Sequence, residues 1–189
     1  MRYERIGYTV QNREIFCFKI GSSWGGKVLW VGGTHGGESI NPEILWLYAN
    51  WLIKKKEAAA VRILERNQTL IIPIYNNDGY AQAIPNGAWG RKNVNGVDLN
   101  RNTENGWCGG SSDPTRYDYK GTSALSEPES QALHSFILRE KPVWCMDLHT
   151  GESFHLYKTT SGIAPGYATR MTNALNLYTQ TCIERGLNP

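Results

Sequence analysis

The sequence has few of the features that would place a protein on a nucleic acid or in a membrane. No stretch approaches the roughly 20 apolar residues that a transmembrane helix requires, and the amino-terminal residues MRYERIGYTV contain no apolar run of signal-peptide length. The net charge is only +3, and the single basic run covers residues 54–56. No basic stripe is interleaved with aromatic residues, so we expect neither a nucleic acid nor a membrane as partner.

Cysteine is also scarce. The four cysteines, Cys17, Cys108, Cys145 and Cys182, lie far apart and lack CxxC spacing. This pattern favours free thiols in a reducing compartment, with one tertiary disulfide as the alternative. Because no signal peptide is seen, the default prediction for the location is the cytoplasm.

The remaining composition is that of a globular protein. With 189 residues, 40% apolar and 20% charged, the chain fits one domain that buries its own core. Residues 8–20 predict a hairpin, and the short apolar runs at 27–31, 69–75 and 143–148 predict buried strands. Helical patterns cover residues 39–56, 126–139 and 164–185, and residues 76–121 form a long region without periodicity. Strands alternating with helices predict an α/β sheet with helices on its faces.

Two histidines follow predicted strands, where α/β sheets place their functional sites. His35 and Glu38 are three residues apart at a strand-to-helix turn, and His149 follows the last predicted strand. Catalytic zinc takes three ligands of this type and keeps a fourth position for water or substrate. Taken alone, the His–x–x–Glu pair is weak, since a solvated histidine beside a helix-capping glutamate gives the same pattern.

The order of the motifs along the chain is more specific than any one of them. They are GGTHGGES at 32–39, NNDG at 76–79, GRK at 90–92, GVDLNRN at 96–102, SEPES at 126–130 and MDLHTG at 146–151. In this order they resemble the zinc carboxypeptidase family of the funnelin type, including its bacterial murein-peptide amidase branch. The resemblance implies a mixed twisted sheet flanked by helices on both faces and a single catalytic domain over residues 1–189.

The resemblance also implies a role for each matching residue. His35, Glu38 and His149 match the ligands of one zinc ion. Asn100 and Arg101 match the pair that holds the terminal carboxylate of a peptide substrate, and Arg91 matches the arginine that stabilises the oxyanion. The chemistry agrees, because a guanidinium can bind a carboxylate bidentately and a cation near the metal stabilises developing negative charge. For the arginines, a structural salt bridge and a surface charge are the alternatives.

The family's general base is a glutamate on a strand well beyond the third ligand, and no residue of this chain matches it. The only glutamates after His149 are Glu152 and Glu184. Glu152 follows His149 too closely, and Glu184 lies in the predicted last helix. We therefore expect a general base not present in the chain, a fold incomplete at its carboxyl end, and a piece of a longer enzyme rather than a natural short form.

Three functions fit the sequence. The first is hydrolysis of a peptide bond next to a free C-terminal carboxylate, by a metallocarboxypeptidase or a murein-peptide amidase. The second is deacylation of N-acyl amino acids, as in the aspartoacylase and succinylglutamate desuccinylase relatives, which the SEPES and GRK elements disfavour. The third is a zinc-binding or peptide-binding module without turnover.

Overall fold

The computed structural model describes residues 1–86 and 90–150; the predicted helix at 164–185 lies outside them. One five-stranded sheet contains β1 (Arg2–Tyr8), β2 (Glu14–Gly21), β3 (Gly26–Val31), β4 (Asn67–Ile72) and β5 (Trp144–Asp147). The helices are α1 (Ile40–Lys54), α2 (Ala58–Arg66), α3 (Asn77–Asn86) and α4 (Pro128–Glu140), with a 3₁₀ turn at Trp107–Gly109. In this part of the chain, no helix has the length and apolar character needed to cross a membrane.

The sheet is mixed, with the strand order β1-β2-β4-β3-β5. Strands β1 and β2 form an antiparallel hairpin, and β2 is also antiparallel to β4. Strand β3 runs parallel to both β4 and β5. The carboxyl ends of β3, β4 and β5 therefore meet at one edge, where a site is expected.

Each face of the sheet is covered by helices, as predicted. On one face, α1 and α2 pack through Leu45, Leu52 and Leu64 against Phe18 and Ile71. On the other face, α4 buries Phe136 in a second cluster that contains Ile15, Leu29 and Leu70. Side chains alternate along each strand, so β2 and β4 contribute to both clusters. The predicted α/β fold is confirmed.

The structure corrects several local predictions. The hairpin is confirmed, but its first strand begins at Arg2, and Asn12 takes the left-handed conformation in the turn (φ 61°). Helices α2 and α3 were not predicted. Helix α3 contains a proline (AIPN at 83–86), a glycine and two asparagines, which disfavour a helix, so its local sequence predicted a loop.

The start of α4 differs from the sequence prediction in one respect. The predicted helix begins at residue 126, but Glu127 occupies the N-cap position and Pro128 is the first helical residue. The Ser126 hydroxyl donates instead to the Glu127 carboxylate (2.7 Å). Glu127 makes no side-chain capping hydrogen bond, so both side chains bind elsewhere.

Glu140, the last residue of α4, ties that helix to the sheet. Its carboxylate accepts from Lys19 on β2 and Lys27 on β3, each at 2.8 Å, and is only 8% exposed. Arg139 lies beside it at 3.1 Å. Burial alone would raise the pKa of Glu140, but these cations outweigh it and lower the pKa to about 2.

We expect Glu140→Gln to lower the free energy of unfolding by about 2 kcal/mol at neutral pH. A depressed pKa gives stability that is complete above the unfolded value, near 4.5, and is lost as the pH falls toward about 2. The wild-type advantage should therefore shrink between about pH 5 and pH 3. Urea unfolding at several pH values measures it, with the exposed Glu65→Gln on α2 as control; a pH-independent difference would contradict the ion-pair account.

Candidate metal centre

The sheet register brings two of the predicted metal ligands together. Val31, the last residue of β3, lies opposite Asp147, the last residue of β5. Since these strands are parallel neighbours, the segments that follow them leave the sheet at the same edge. His35 lies on the first segment and His149 on the second, so 114 residues of separation in sequence become a contact between their rings.

The turn after β3 depends on two glycines. Gly33 adopts φ +62°, a conformation that is unfavourable for residues with a Cβ atom. Gly36 lies so close to the first turn of α3 that a Cβ there would be 2.0 Å from the carbonyl carbon of Gly79. Its amide also donates to the Gly90 carbonyl oxygen (2.5 Å). The GGTHGG segment is thus packed tightly enough to fix the direction of His35.

His35, Glu38 and His149 converge on one point. The Nδ1 atoms of the two histidines are 3.2 Å apart. The Glu38 carboxylate lies 2.7 Å from Nδ1 of His35 and 3.3 Å from Nδ1 of His149. Two ligands of a tetrahedral zinc ion lie about 3.3 Å apart, so the donor types and spacing fit one such ion. In the described part of the chain, these three are the group of candidate ligands found within 4.8 Å of one another.

Both histidines are oriented by carboxylates behind them. Nε2 of His35 lies 3.1 Å from Asp98 Oδ1, and Nε2 of His149 lies 3.0 Å from Asp147 Oδ2. The Thr34 hydroxyl donates to the other oxygen of Asp147 (2.8 Å). A carboxylate on the outer nitrogen fixes the tautomer and raises the basicity of a metal-binding imidazole. The arrangement therefore leaves both Nδ1 atoms facing the common centre.

Glu38 is fixed from two directions. Its Oε2 accepts a hydrogen bond from the Asn41 side chain (3.0 Å) and another from the Thr150 backbone amide (3.1 Å). Asn41 also donates to the carbonyl oxygen of Leu148 (2.8 Å). Asn41 thus joins the start of α1 to the end of β5, rather than capping the helix.

The electrostatics of the cluster favour a cation. Burial would lower the pKa of His149, but hydrogen bonds to Asp147 and Glu38 outweigh it and raise the pKa to about 10. The same opposition, with Asp98 and Glu38 as partners, raises the pKa of His35. For Glu38, burial is outweighed by the two histidines, which lower its pKa to about 2. Three carboxylates therefore surround two imidazoles. A divalent ion can replace the protons on such imidazoles.

Arg91 lies on the far side of Asp98 from His35. Its Nε and Nη2 donate to Asp98 Oδ2 at 3.1 and 2.7 Å, and its guanidinium lies 5.3 Å from the Tyr117 ring centroid. Asp98 is fully buried and shares its charge between His35 and Arg91. Burial would raise the pKa of Asp98, but His35 and Arg91 together lower it.

Asn100 and Arg101 lie in the turn directly after Asp98. The Asn100 amide donates to Asp98 Oδ1 (3.0 Å) and the Arg101 amide to the Asp98 carbonyl oxygen (2.9 Å). The Arg101 guanidinium donates to the Asn100 carbonyl oxygen (3.3 Å) and makes no ion pair with a described residue. The structure thus links this predicted anchor to the histidine cluster through Asp98. Glu152 and Glu184 lie outside the described residues.

Sequence reasoning overlooked Asp98 and Asn41. Asp98 stands in the GVDLNRN motif, yet its contact with His35 spans 63 positions of sequence. The available signal was an aspartate that lies between Arg91 and Arg101 in the sequence. Nothing in the local sequence pointed to Asn41, which reads as an ordinary helix-start residue.

The carboxyl ends of the parallel strands bring together two histidines, a glutamate and an adjacent arginine-bearing turn. In an α/β sheet, this is the layout of a metallohydrolase. The family model described as zinc carboxypeptidase matches residues 1–181. Bovine carboxypeptidase B is 30% identical, over 70% of this chain and 35% of its own length. Human carboxypeptidase O is 31% identical, over 72% of this chain and 40% of its own length.

Solved structures agree with these sequence relatives. Carboxypeptidase A from Helicoverpa armigera superimposes with a TM-score of 0.73 and 25% identity, over 97% of this chain and 49% of that one. The murein-tripeptide amidase from Escherichia coli O157 gives a TM-score of 0.56 and 26% identity, over 80% of this chain and 62% of that one. The chain belongs to the zinc carboxypeptidase family. It spans 35% and 40% of the length of the two relatives named above.

Proposed function

We propose that the protein binds one zinc ion through His35, Glu38 and His149 and belongs to a hydrolase that cleaves the peptide bond next to a free C-terminal carboxylate. The observation that carries this proposal is the convergence of the three donor groups, with both imidazoles held from behind by carboxylates. The family match over residues 1–181 supports it. We also propose, as predicted from the sequence, that residues 1–189 form one catalytic domain.

The roles of the protein's own residues follow from their positions. His35, Glu38 and His149 hold the ion, which when bound supplies a Lewis acid for the scissile carbonyl group. Arg101, without an acidic partner among the described residues, is available to hold the substrate carboxylate in a planar, two-pronged hydrogen bond. Asn100 adds a polar side chain beside it in the same turn.

Arg91 is proposed to stabilise negative charge that develops on the scissile carbonyl oxygen. Two of its nitrogens, Nε and Nη2, bind Asp98. Its Nη1 makes no hydrogen bond to a described residue and can donate to substrate while the other two keep the guanidinium in place. A donor held in advance costs no reorganisation during the reaction.

The substrate class is a peptide with a free terminal carboxylate, and the murein-tripeptide amidase structure adds murein peptides as candidates. The test uses the zinc-loaded protein with five substrates: a peptide, the same peptide as its C-terminal amide, a murein tripeptide, an N-acetyl amino acid and an N-succinyl amino acid. Because no residue of the chain matches the family's general base, we expect cleavage of the substrates with a free peptide carboxylate to be slowed by about 10²- to 10⁴-fold, and none of the amide to be cleaved.

The other outcomes separate the alternatives. Hydrolysis confined to the N-acyl amino acids would overturn the proposal in favour of a deacylase. Stoichiometric zinc and peptide binding with no hydrolysis would identify a binding module. Absence of zinc binding would reject the ligand assignment itself.

A further inference from the structure

We propose that Glu127 is a positioning residue that fixes both ends of the segment 93–102, which carries Asp98, Asn100 and Arg101. The proposal rests on the proposed function for its consequence in substrate binding. The physical link, a buried carboxylate joined to two asparagines, stands apart from that function. For brevity, the segment 93–102 is called the anchor segment.

The first end of the anchor segment is held through Asn93. The Glu127 carboxylate accepts from Nδ2 of Asn93 (2.7 Å) and from Nδ2 of Asn95 (2.8 Å), both on Oε2. Asn93 Oδ1 in turn accepts from the amides of Asn95 and Val97. The Asn93 amide donates to the Val97 carbonyl oxygen (2.9 Å) and closes the loop directly before Asp98.

The second end is held through Asn102. The Glu127 amide donates to Asn102 Oδ1 (3.1 Å). The Ser126 hydroxyl donates to Glu127 Oε1 (2.7 Å) and accepts from Nδ2 of Asn102 (2.9 Å). Asn102 is fully buried and also donates to two carbonyl oxygens of the loop before α4. Both ends of the anchor segment therefore meet at one residue.

Three observations argue against a simple helix-capping or ion-pairing role for Glu127. It stands at the N-cap of α4, yet its side chain makes no capping hydrogen bond. It is 5% exposed and makes no ion pair with a described residue, so its side-chain partners are neutral amides and a hydroxyl. A buried carboxylate is costly unless its oxygens are well bonded, and here they accept hydrogen bonds from Asn93, Asn95 and Ser126.

Glutamine can make the same three contacts. Its side-chain oxygen can accept from Asn93 and Asn95, and its amide nitrogen can donate to Ser126, whose oxygen still accepts from Asn102. Alanine can make none of them. Asn95 Nδ2 then loses this acceptor, and Asn93 Nδ2 keeps only its longer hydrogen bond to Glu129 Oε2 (3.2 Å). The pair Glu127→Ala and Glu127→Gln therefore separates hydrogen bonding from general loss of a charged residue.

The test combines two measurements on the full chain. Hydrogen exchange reports the protection of the amides of Asp98, Arg101 and Asn102 without requiring any activity. Calorimetry on the zinc-loaded protein reports binding of an uncleavable peptide isostere, with and without a free carboxylate. Leu64→Ala, which opens a cavity in the cluster on the opposite face of the sheet, serves as a destabilised control.

We expect Glu127→Ala to lose amide protection in the anchor segment. It should also weaken carboxylate-dependent binding by about 10- to 100-fold, the range found for residues that orient metal ligands. Glu127→Gln should retain both, and Leu64→Ala should lower global stability without selective loss at residues 93–102. Unchanged protection in Glu127→Ala would overturn the proposal. Lost protection with no carboxylate-dependent binding even in the wild type would keep the clamp and reject the substrate assignment.

Discussion

Replacing His149 by alanine should remove zinc binding at micromolar metal while leaving the sheet folded. Zinc sites with four ligands bind with about 10–16 kcal/mol in small peptides. One ligand is therefore worth about 2.5–4 kcal/mol, or roughly two to three orders of magnitude in affinity. His35→Ala should act in the same way, with an added cost because it leaves the buried carboxylate of Asp98 without one of its partners.

The matched control is His134→Ala. His134 lies on α4, 4.0 Å from Glu104, and has no contact with the three candidate ligands among the described residues. Zinc titration with a competing chelator and metal analysis after dialysis measure the difference. Equal zinc content in the wild type, His149→Ala and His35→Ala would show that the ion, if bound, is held elsewhere.

Replacing Arg101 by glutamine should weaken binding of a substrate with a free C-terminal carboxylate by about 30- to 1,000-fold, since removing one partner of a charged hydrogen-bonded pair costs about 2–4 kcal/mol. Binding of the corresponding amide should change little. Arg101→Lys should recover only part of the loss, because an ammonium cannot make the planar two-pronged contact.

Arg116→Gln is the control for this second experiment. Arg116 is a 58% exposed arginine in the loop region that follows Arg101, 3.7 Å from Asp118. Calorimetry with an uncleavable peptide, and KM where hydrolysis is measurable, compare the variants. If Arg101→Gln bound the free carboxylate and the amide as the wild type does, the anchor would have to be assigned to another group.

The order of these effects reflects how directly each residue meets its ligand. In the proposed function, His35, Glu38 and His149 face the ion, Arg101 faces the substrate, and Glu127 acts through the anchor segment. We therefore expect replacement of a metal ligand to abolish zinc binding, and replacement of Arg101 to abolish recognition of the carboxylate. Replacement of Glu127 by alanine should weaken carboxylate binding and reduce the amide protection of the anchor segment. The Glu140 ion pairs stabilise the fold and should leave all three properties unchanged.

Much of the fold could be predicted because its signals are local. Short apolar runs predicted strands β3, β4 and β5, and α1 and α4 followed from apolar periodicity. Helix α3 was missed because proline and asparagine disfavour it locally, while packing against the GGTHGG segment fixes it in the structure. Tertiary contacts override such weak local preferences.

The sequence by itself determined the types and order of the candidate site residues, because a histidine–glutamate pair, an asparagine–arginine pair and a late histidine are read directly from the chain. It also determined the family. Only the tertiary structure decided that the Nδ1 atoms of His35 and His149 face each other and that Asp98 lies between His35 and Arg91. It also decided that the Glu127 side chain binds the anchor segment instead of capping α4. Apart from the Asp98–Arg91 pair, which is 7 positions apart, these contacts join residues 25 to 114 positions apart. Local propensity and periodicity carry no information on such pairs, which are set by strand register and by the need to satisfy buried polar groups.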